Sequence, residues 1–479
     1  MSKEVGAVSG SLLWASSEKV CQFIIGFLVT TILAREIGPS AFGLVALAIV
    51  FEFLFLYLME SGLSQVIIQK KEINSNEVNT AFTLNVLLGA VFTLLFFFSA
   101  NLLAEFFNQA QLTDIIKILS IKIFLISFSR IHVALLEKHF NFKRLVCISV
   151  PVRISCGILA IYLVYSGFGI WSYIYYNVAQ AALLSIALFL FSGYNVKFYL
   201  SAECLQKLLP LGIQFSATRL LNTLSEKIYY IVIGKYYNVS TLGLFQRADV
   251  IRRSSSEEFS TIINRVFFPL FSKKSSSSFD FLEAYKKVAP FYSLFFFLTS
   301  AIIISLSDFL IHVLLGVEWE QSSMFLKFLS VLGFINSLNL FLAMIRKSTG
   351  SGKVLLNETI FERIIRLVLL FSLIGHGLIA VICGQIFGSL CAFLLRIFSL
   401  KSFLRISYHQ ALKPFLSGLV LLVMTLILYG LNYFYLYEYF NLLLTRTVFI
   451  LIAICCTCLV VKCFYSSEIN YLSRNFFKK

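Results

Sequence analysis

Charged side chains inside long apolar stretches are the residues of this chain best placed to do chemistry. Three arginines, Arg219, Arg252 and Arg253, fall near the middle of predicted membrane-spanning segments. A charge at the centre of a bilayer costs roughly 2.5–3.5 kcal/mol on the insertion scale, so we expect these arginines to line a watery cavity. Guanidinium groups suit phosphate and carboxylate, which predicts an anionic ligand. Further candidate contacts within the apolar stretches are Lys19, Arg153 and Arg366.

Acidic residues share these stretches, and some of them stand one helical turn from an arginine. The spacings Asp249–Arg253, Arg253–Glu257 and Glu362–Arg366 are i,i+4, which predicts ion pairs along single helices. The same acids could bind a coupling proton or cation, or could serve only to neutralise arginine, and the sequence leaves both interpretations open. The candidates for ion coupling are Glu226, Glu257, Asp249 and Glu60.

Other intramembrane charges lie near the ends of predicted segments. From there a long side chain can reach the interface with its charged end, or can form a structural ion pair. This interpretation is favoured for Arg130, Arg265, Glu358 and Arg396.

The elements that carry these residues must be membrane helices. Of the 479 residues, 59% are hydrophobic and 13% are charged, and the net charge is +16. A soluble domain carries roughly 25% charged residues. Because water could not wet a surface of this composition, lipid must be the solvent. Soluble enzymes, disordered chains and nucleic-acid-binding modules are therefore excluded.

Polar breaks divide the chain into predicted spans of about 20 mostly apolar residues each. The prediction is an all-α integral membrane protein with about 14 transmembrane helices. The N-terminal stretch has no small-residue cleavage site after a short apolar core, so we interpret it as a retained first helix. The predicted spans are 9–34, 41–68, 79–103, 113–136, 146–166, 168–192, 208–235, 242–270, 286–307, 323–346, 358–375, 377–400, 413–435 and 444–465.

Charges between the spans predict their orientation. Lys and Arg are expected in cytoplasmic loops, and one set of loops carries nearly all of them, Lys70 and Arg346 included. The opposite loops carry Arg35 and Lys235, with Arg446 at a helix edge. Both termini are therefore predicted to be cytoplasmic.

The chain also matches itself at an offset of 200 residues. Ile32–Leu44 lies over Val232–Leu244 without a gap, which places Gly43 on Gly243. Chance likeness of two helical hairpins is the alternative, but a duplication that relates helices 1–6 to helices 7–12 explains the match better. Because each copy has an even number of helices, six, both copies would begin on the cytoplasmic side of the membrane. A pseudo-two-fold axis along the membrane normal would then relate them. The predicted domains are two six-helix lobes and a pair of C-terminal helices with a cytoplasmic tail, at 1–200, 201–405 and 406–479.

Neither a cofactor nor a metal ion is expected. The five histidines are scattered, and the ten cysteines lie mostly in apolar stretches, where thiolates are disfavoured. No predicted loop is long enough to hold a catalytic domain. The chain is therefore predicted to act within the bilayer and not to be an enzyme.

Several segments resemble bacterial polysaccharide exporters, over about residues 10–350. The likeness covers the turn between helices 1 and 2, both ends of helix 8, and two further hairpins. Glu60 departs from the pattern, since an Asp is more usual there. The chain is similar to the Wzx-type, O-antigen and colanic-acid branch of the multidrug/oligosaccharidyl-lipid/polysaccharide exporter superfamily. The segments that carry this resemblance are Leu33–Leu44, Glu60–Gln69, Gly167–Trp171, Leu242–Ala248, Val266–Ser272 and the pair Gly316 and Trp319.

This resemblance implies a flippase of the bacterial inner membrane. Such a protein moves an undecaprenyl-pyrophosphate-linked oligosaccharide repeat unit to the periplasmic leaflet by alternating access, with a cationic cavity enclosed by two six-helix lobes. Membrane lipids, a polysaccharide polymerase and a chain-length regulator are the implied partners, and a proton or sodium gradient is the implied driving force. The alternatives are a drug/cation antiporter of the same superfamily and a membrane-embedded glycan polymerase or ligase.

Overall fold

The regular elements of the described chain are helices. This computed structural model describes residues 2–274, 278–350, 352–404 and 407–431, without the side chains of 2–13, 217–219, 221–222, 274, 278, 402–404 and 426–431. The helices are α1 (Ser2–Ile37), α2 (Pro39–Glu60), α3 (Leu63–Gln69), α4 (Ser75–Phe107), α5 (Gln111–Lys138), α6 (Phe142–Leu163), α7 (Ile170–Phe191), α8 (Ala202–Tyr236), α9 (Val239–Arg253), α10 (Phe259–Lys274), α11 (Ser278–Leu314), α12 (Glu320–Ser348), α13 (Gly352–Leu373), α14 (Leu378–Leu404) and α15 (Tyr408–Leu431).

The first twelve predicted spans fall on helix, and so does the thirteenth as far as residue 431. The fourteenth, 444–465, and most of the predicted tail lie outside the described residues. Among the described residues, nine helical segments are long and apolar enough to cross a membrane. Three further predicted spans, 208–235, 242–270 and 358–375, are also helical, and they carry the dense charge.

Lipid is an appropriate solvent for the outer helix faces. On α4, Phe98 is 72% exposed and Leu102 is 69% exposed. Because residues four apart share one face of a helix, these side chains form an apolar stripe on its surface. Such a stripe would be unfavourable in water and is expected against hydrocarbon.

One predicted span is interrupted. The segment 41–68 forms α2 and α3, because Ser61 and Gly62 adopt left-handed backbone conformations with φ of 40° and 67°. Gly62 also lies against the Gly212 carbonyl of α8, where a side chain would collide. The break turns α3 back against α5 and α8.

The chain divides into two compact units. Unit 1 comprises Met1–Gly243 with Leu314–Glu318, and unit 2 comprises Leu244–Val313 with Trp319–Lys479. In unit 1, α4 packs on α5, α5 on α7, α1 on α6 and α2 on α8. The first turns of α2 and α9 meet there at Gly43 and Gly243.

Unit 2 has an aromatic core. Its helices α10, α13 and α15 pack against α12 or α14, which also pack on each other. Phe296, Phe334 and Phe341 are fully buried in this core, together with Phe415 of α15. This apolar packing holds α12 and α14 in position, and α13 packs against both of them.

Candidate functional site

The predicted span 242–270 is one helix interrupted by a wide turn. Residues Ser254–Glu258 form a π-helical segment between α9 and α10. The hydroxyl groups of Ser254 and Ser256 donate to the carbonyls of Val250 and Arg252, at 2.8 and 2.7 Å. Single π-helical turns within α-helices are frequent at functional sites, and this one directly follows the arginine pair.

Arg252 is buried and held by two carboxylates. Its side chain is 3% exposed, and its Nε donates to Asp249 Oδ1 at 2.7 Å. Its Nη1 donates to Glu257 Oε1 at 2.6 Å. Charge-assisted bonds of this kind offset the loss of water around a buried guanidinium group. Arg252 can therefore contact an external anion only if a carboxylate moves away.

Arg253 is the more accessible member of the pair. Its side chain is 30% exposed, and its Nε donates to Asp249 Oδ2 at 2.8 Å. Its Nη1 lies 3.7 Å from Glu257 Oε2. The predicted pairs Asp249–Arg253 and Arg253–Glu257 are confirmed. Of the two neighbouring arginines, Arg253 is the one that an anion can approach.

An asparagine of α12 joins this cluster to α13. Asn336 Nδ2 donates to Glu257 Oε1 at 3.3 Å, and Asn336 Oδ1 accepts from Arg366 Nη2 at 2.8 Å. Arg366 also donates to Ser389 of α14. The predicted pair Glu362–Arg366 is confirmed, with 2.8 Å between Oε1 and Nη2.

The contacts continue through α14 to the end of α12. Arg396 Nη2 donates to Glu362 Oε2 at 2.8 Å. Glu358 is 4% exposed and lies between two guanidinium groups, 3.6 Å from Arg346 Nε and 3.8 Å from Arg396 Nε. The Ser399 hydroxyl group bridges Arg346 and Glu358, since it accepts from the first and donates to the second. Of the two roles predicted for Glu358 and Arg396, a charge that reaches the interface or a structural ion pair, the structure shows the ion pair.

We call these two sets of ion pairs, which Asn336 joins by hydrogen bonds to Glu257 and Arg366, the charge network. It contains more guanidinium groups than carboxylates, five against four, so a positive charge remains when all nine are ionised. All of its members belong to unit 2. The members are Asp249, Arg252, Arg253, Glu257, Arg346, Glu358, Glu362, Arg366 and Arg396.

Two residues of this site were missed by sequence analysis. Arg346 was counted only among the cytoplasmic charges at the end of the span 323–346, and the structure shows it buried in the last turn of α12 with 4% exposure. Glu358 and Ser399 bind its guanidinium group there. Asn336 has no charge and no sequence motif, so only its position between Glu257 and Arg366 identifies it.

The remaining predicted site residues belong to unit 1. Glu60 is buried and lies 2.7 Å from Arg130 Nη2, the structural pair expected for that arginine. Lys19 and Glu226 are exposed on α1 and α8. Arg219 lies in α8, but its side chain is outside the described residues.

Arg153 is placed differently from these residues. It lies on α6, close enough to Glu18 of α1 to interact electrostatically. Its Nε is buried without a hydrogen-bond partner among the described residues. The structure thus brings Asp249, Arg252, Arg253, Glu257 and Arg366 together, while Arg153 belongs to a separate polar region.

Comparison with known proteins was made on sequence and on fold. The family described as "Polysaccharide biosynthesis protein" matches residues 32–324, more than half of the chain. The lipopolysaccharide biosynthesis protein WzxC of Escherichia coli (strain K12) is 24% identical over 70% of this chain and 69% of its own length. The succinoglycan biosynthesis transport protein ExoT of Rhizobium meliloti (strain 1021) is 23% identical over 56% of this chain and 54% of its own length.

A solved structure shares the fold. The lipid II flippase MurJ in an inward closed conformation superimposes with a TM-score of 0.74 at 16% identity. The superposition covers 94% of this chain and 99% of that one. At this identity the likeness establishes the fold alone, which is that of a multi-helix membrane transporter. The predictions of a multi-pass bacterial inner-membrane protein and of a transporter that is not an enzyme are confirmed.

Proposed function

The chain belongs to the polysaccharide biosynthesis protein family, and on that premise we propose that it is a flippase for lipid-linked oligosaccharides. Its substrate would be an undecaprenyl-pyrophosphate-linked repeat unit, moved from the cytoplasmic to the periplasmic leaflet by alternating access. The sugar chain would later be built into a surface polysaccharide. A pyrophosphate headgroup cannot cross hydrocarbon alone, because burying its charge without partners is prohibitively costly.

The observation that carries this proposal is the charge network of unit 2. It keeps an excess of guanidinium groups inside helices that otherwise bury apolar side chains. Arg253 is its accessible end, with 30% exposure against 3% for Arg252. A phosphate that reaches Arg253 would compete with Asp249 and Glu257 for the same guanidinium group. The network therefore supplies both donors for an anion and carboxylates that hold the donors when the anion is absent.

The residue roles follow from this competition. We assign Arg253 as the first contact of the pyrophosphate, with Arg219 and Arg252 joining it, and with Lys19, Arg153 and Arg366 as further cationic contacts. Glu257 and Asp249 are the acids that an arriving anion would displace, which makes them the first candidates for ion coupling. Glu226 and Glu60 remain further candidates for that role.

The topology belongs to the same proposal. It comprises fourteen transmembrane helices with both termini in the cytoplasm, and lobes at 1–200 and 201–405 followed by two helices and a tail at 406–479. The offset of 200 residues between Gly43 and Gly243, which meet at one helix crossing, supports the duplication. A proton or sodium gradient would drive the cycle, and a polymerase and a chain-length regulator would act on the translocated unit.

The two alternatives fit the charge network less well. A drug/cation antiporter needs more acids than arginines around its ligand, and this network has the opposite balance. A glycan polymerase or ligase would need a long extramembrane loop to carry its catalytic residues. Among the described residues, the longest segment that joins two helices is Ser192–Ser201, between α7 and α8.

The decisive experiment follows the lipid-linked intermediate. Cells in which the gene is deleted should lose the surface polymer and accumulate single lipid-linked repeat units on the cytoplasmic leaflet. Expression of the wild-type chain should reverse both effects. Repeat units that accumulate instead on the periplasmic leaflet would assign the chain to polymerisation or ligation, and undiminished polymer would exclude any necessary role in export.

A further inference from the structure

Unit 1 holds a partly buried ammonium group that plays no part in the charge network. Lys122 of α5 places its Nζ 2.7 Å from Glu52 Oε1 of α2. The same Nζ donates to Asn177 Oδ1 of α7 at 2.9 Å. A single cationic atom therefore joins three helices within the apolar part of the unit.

One carboxylate oxygen of Glu52 is available to coordinate a cation. Its side chain is 3% exposed, and its Oε2 is buried without a hydrogen-bond partner among the described residues. A buried polar atom without a partner costs free energy, so such atoms are rare. The second oxygen of a carboxylate that already holds a cation is suited to coordinate that cation more fully.

Asn177 is oriented toward the cation by the backbone. Its Nδ2 donates to the Tyr173 carbonyl at 2.9 Å, which leaves Oδ1 directed at Lys122. The group that faces Lys122 is therefore a carbonyl oxygen and not an amide nitrogen. A carboxylate and a carbonyl oxygen are ligands that hard cations prefer.

Stability alone is a weak reason for a charged pair at this place. Replacement of a buried ion pair by apolar residues is often neutral or stabilising. An ionisable residue inside a membrane segment is, by default, a functional candidate together with its partner. The pair Glu52–Lys122 meets this description, and Asn177 supplies a third ligand.

We propose that Glu52 and Asn177 form a monovalent-cation site whose resident cation is the tethered ammonium group of Lys122. An ammonium group is similar in charge and size to an alkali cation, so it can occupy the site permanently. The native protein would then take up neither sodium nor potassium at this position. Removal of the ammonium group should open the site to an alkali cation.

Thermal unfolding of the purified full-length protein tests this inference without any transport assay. Melting temperatures are compared in sodium chloride, potassium chloride and choline chloride at equal ionic strength. The wild type should melt alike in all three salts. The Lys122→Ala variant should melt lower in choline, and sodium or potassium should raise its melting temperature by at least about 2 °C with saturation, as expected for a ligand that binds only the folded state.

Two variants serve as controls. Lys117→Ala removes a lysine of the same helix that lies over the Phe97 ring, 5.7 Å from its centroid, and should give no cation response. Lys122→Ala combined with Glu52→Gln removes the carboxylate and should lose the response.

Three results would overturn the proposal. The first is a Lys122→Ala variant that melts identically in the three salts, and the second is an undiminished response in the double variant. The third is a Lys122→Ala variant whose yield of folded protein is as low in sodium or potassium as it is in choline. Failure of the flippase proposal would change none of these readings, because they measure binding and not transport.

Discussion

Gly43 and Gly243 each lie against the carbonyl group of the residue four positions before the other. A Cβ at Gly43 would collide with the carbonyl oxygen of Val239, and a Cβ at Gly243 would collide with that of Pro39. The same offset of 200 residues relates both the glycines and the carbonyls. The two contacts are thus equivalent under the proposed internal repeat, and they bring the first turns of α2 and α9 into backbone contact.

Substitution of either glycine should separate these helices. Gly43→Ala and Gly243→Ala should each destabilise the protein by about 1–3 kcal/mol, because a backbone carbonyl cannot move aside without moving its helix. The measurement is the melting temperature of the purified protein. Gly26→Ala is the matched control, since its added Cβ would meet nothing within 4 Å. Equal melting temperatures for Gly43→Ala and Gly26→Ala would contradict the prediction.

Neutralisation of Arg253 should abolish polymer export while the protein still reaches the membrane. Arg253→Gln removes charge-assisted bonds worth about 1.5–3 kcal/mol, which corresponds to roughly a 10- to 100-fold loss of affinity for the anionic headgroup. Export is measured as surface polymer at matched protein levels. Arg265→Gln on α10, an exposed arginine outside the charge network, is the control. Wild-type export from a variant neutralised at both Arg219 and Arg253 would refute the assignment.

Removal of Glu362 should cost far more stability than removal of an exposed acid. Glu362→Ala leaves Arg366 and Arg396 without the carboxylate that both contact at 2.8 Å. Breaking a buried pair on one side costs about 3–5 kcal/mol, whereas Glu283→Ala breaks the more exposed pair with Lys287 and should cost at most about 1 kcal/mol. Denaturant unfolding of the two purified variants measures the difference. Similar unfolding midpoints would show that the charge network does not stabilise unit 2.

Gly333 should control the position of Arg252. An added Cβ would lie 3.0 Å from Ser256 Oγ and 3.1 Å from Arg252 Cγ, so α12 approaches the π-helical turn closely here. Gly333→Ala should be tolerated with a cost near 1 kcal/mol, and the larger Gly333→Val should displace Arg252 and reduce export more than it lowers the melting temperature. Gly352→Ala has open space and serves as the control. Wild-type export from Gly333→Val would show that the position of Arg252 is unimportant.

The positions of the helices and the pairs along single helices could be predicted from the sequence. Apolar runs locate helices because lipid requires both an apolar surface and internally satisfied backbone groups. The pairs Asp249–Arg253 and Glu362–Arg366 could be predicted because residues four apart face the same side of any helix. These predictions depend only on neighbours in the chain.

Contacts between helices could not be predicted in the same way. Glu362 holds Arg396 of α14 as well as its own Arg366, and Lys122 reaches Glu52 and Asn177 on two other helices. Such contacts depend on how each helix is rotated about its axis and where it crosses its neighbours, which hydrophobicity does not specify. The π-helical turn after Arg253 and the break at Ser61–Gly62 change that rotation locally.

The sequence by itself determined that this chain is a membrane protein with arginines inside its helices, and it predicted an internal repeat. Burial of charge in lipid is so unfavourable that composition and spacing alone reveal it. Only the tertiary structure decided which acid neutralises which arginine. That choice brings Arg346 into the charge network, leaves Arg253 more accessible than Arg252, and places a lysine between the oxygens of Glu52 and Asn177. The physical reason is that the strength of an ion pair depends on distances between helices, which packing sets.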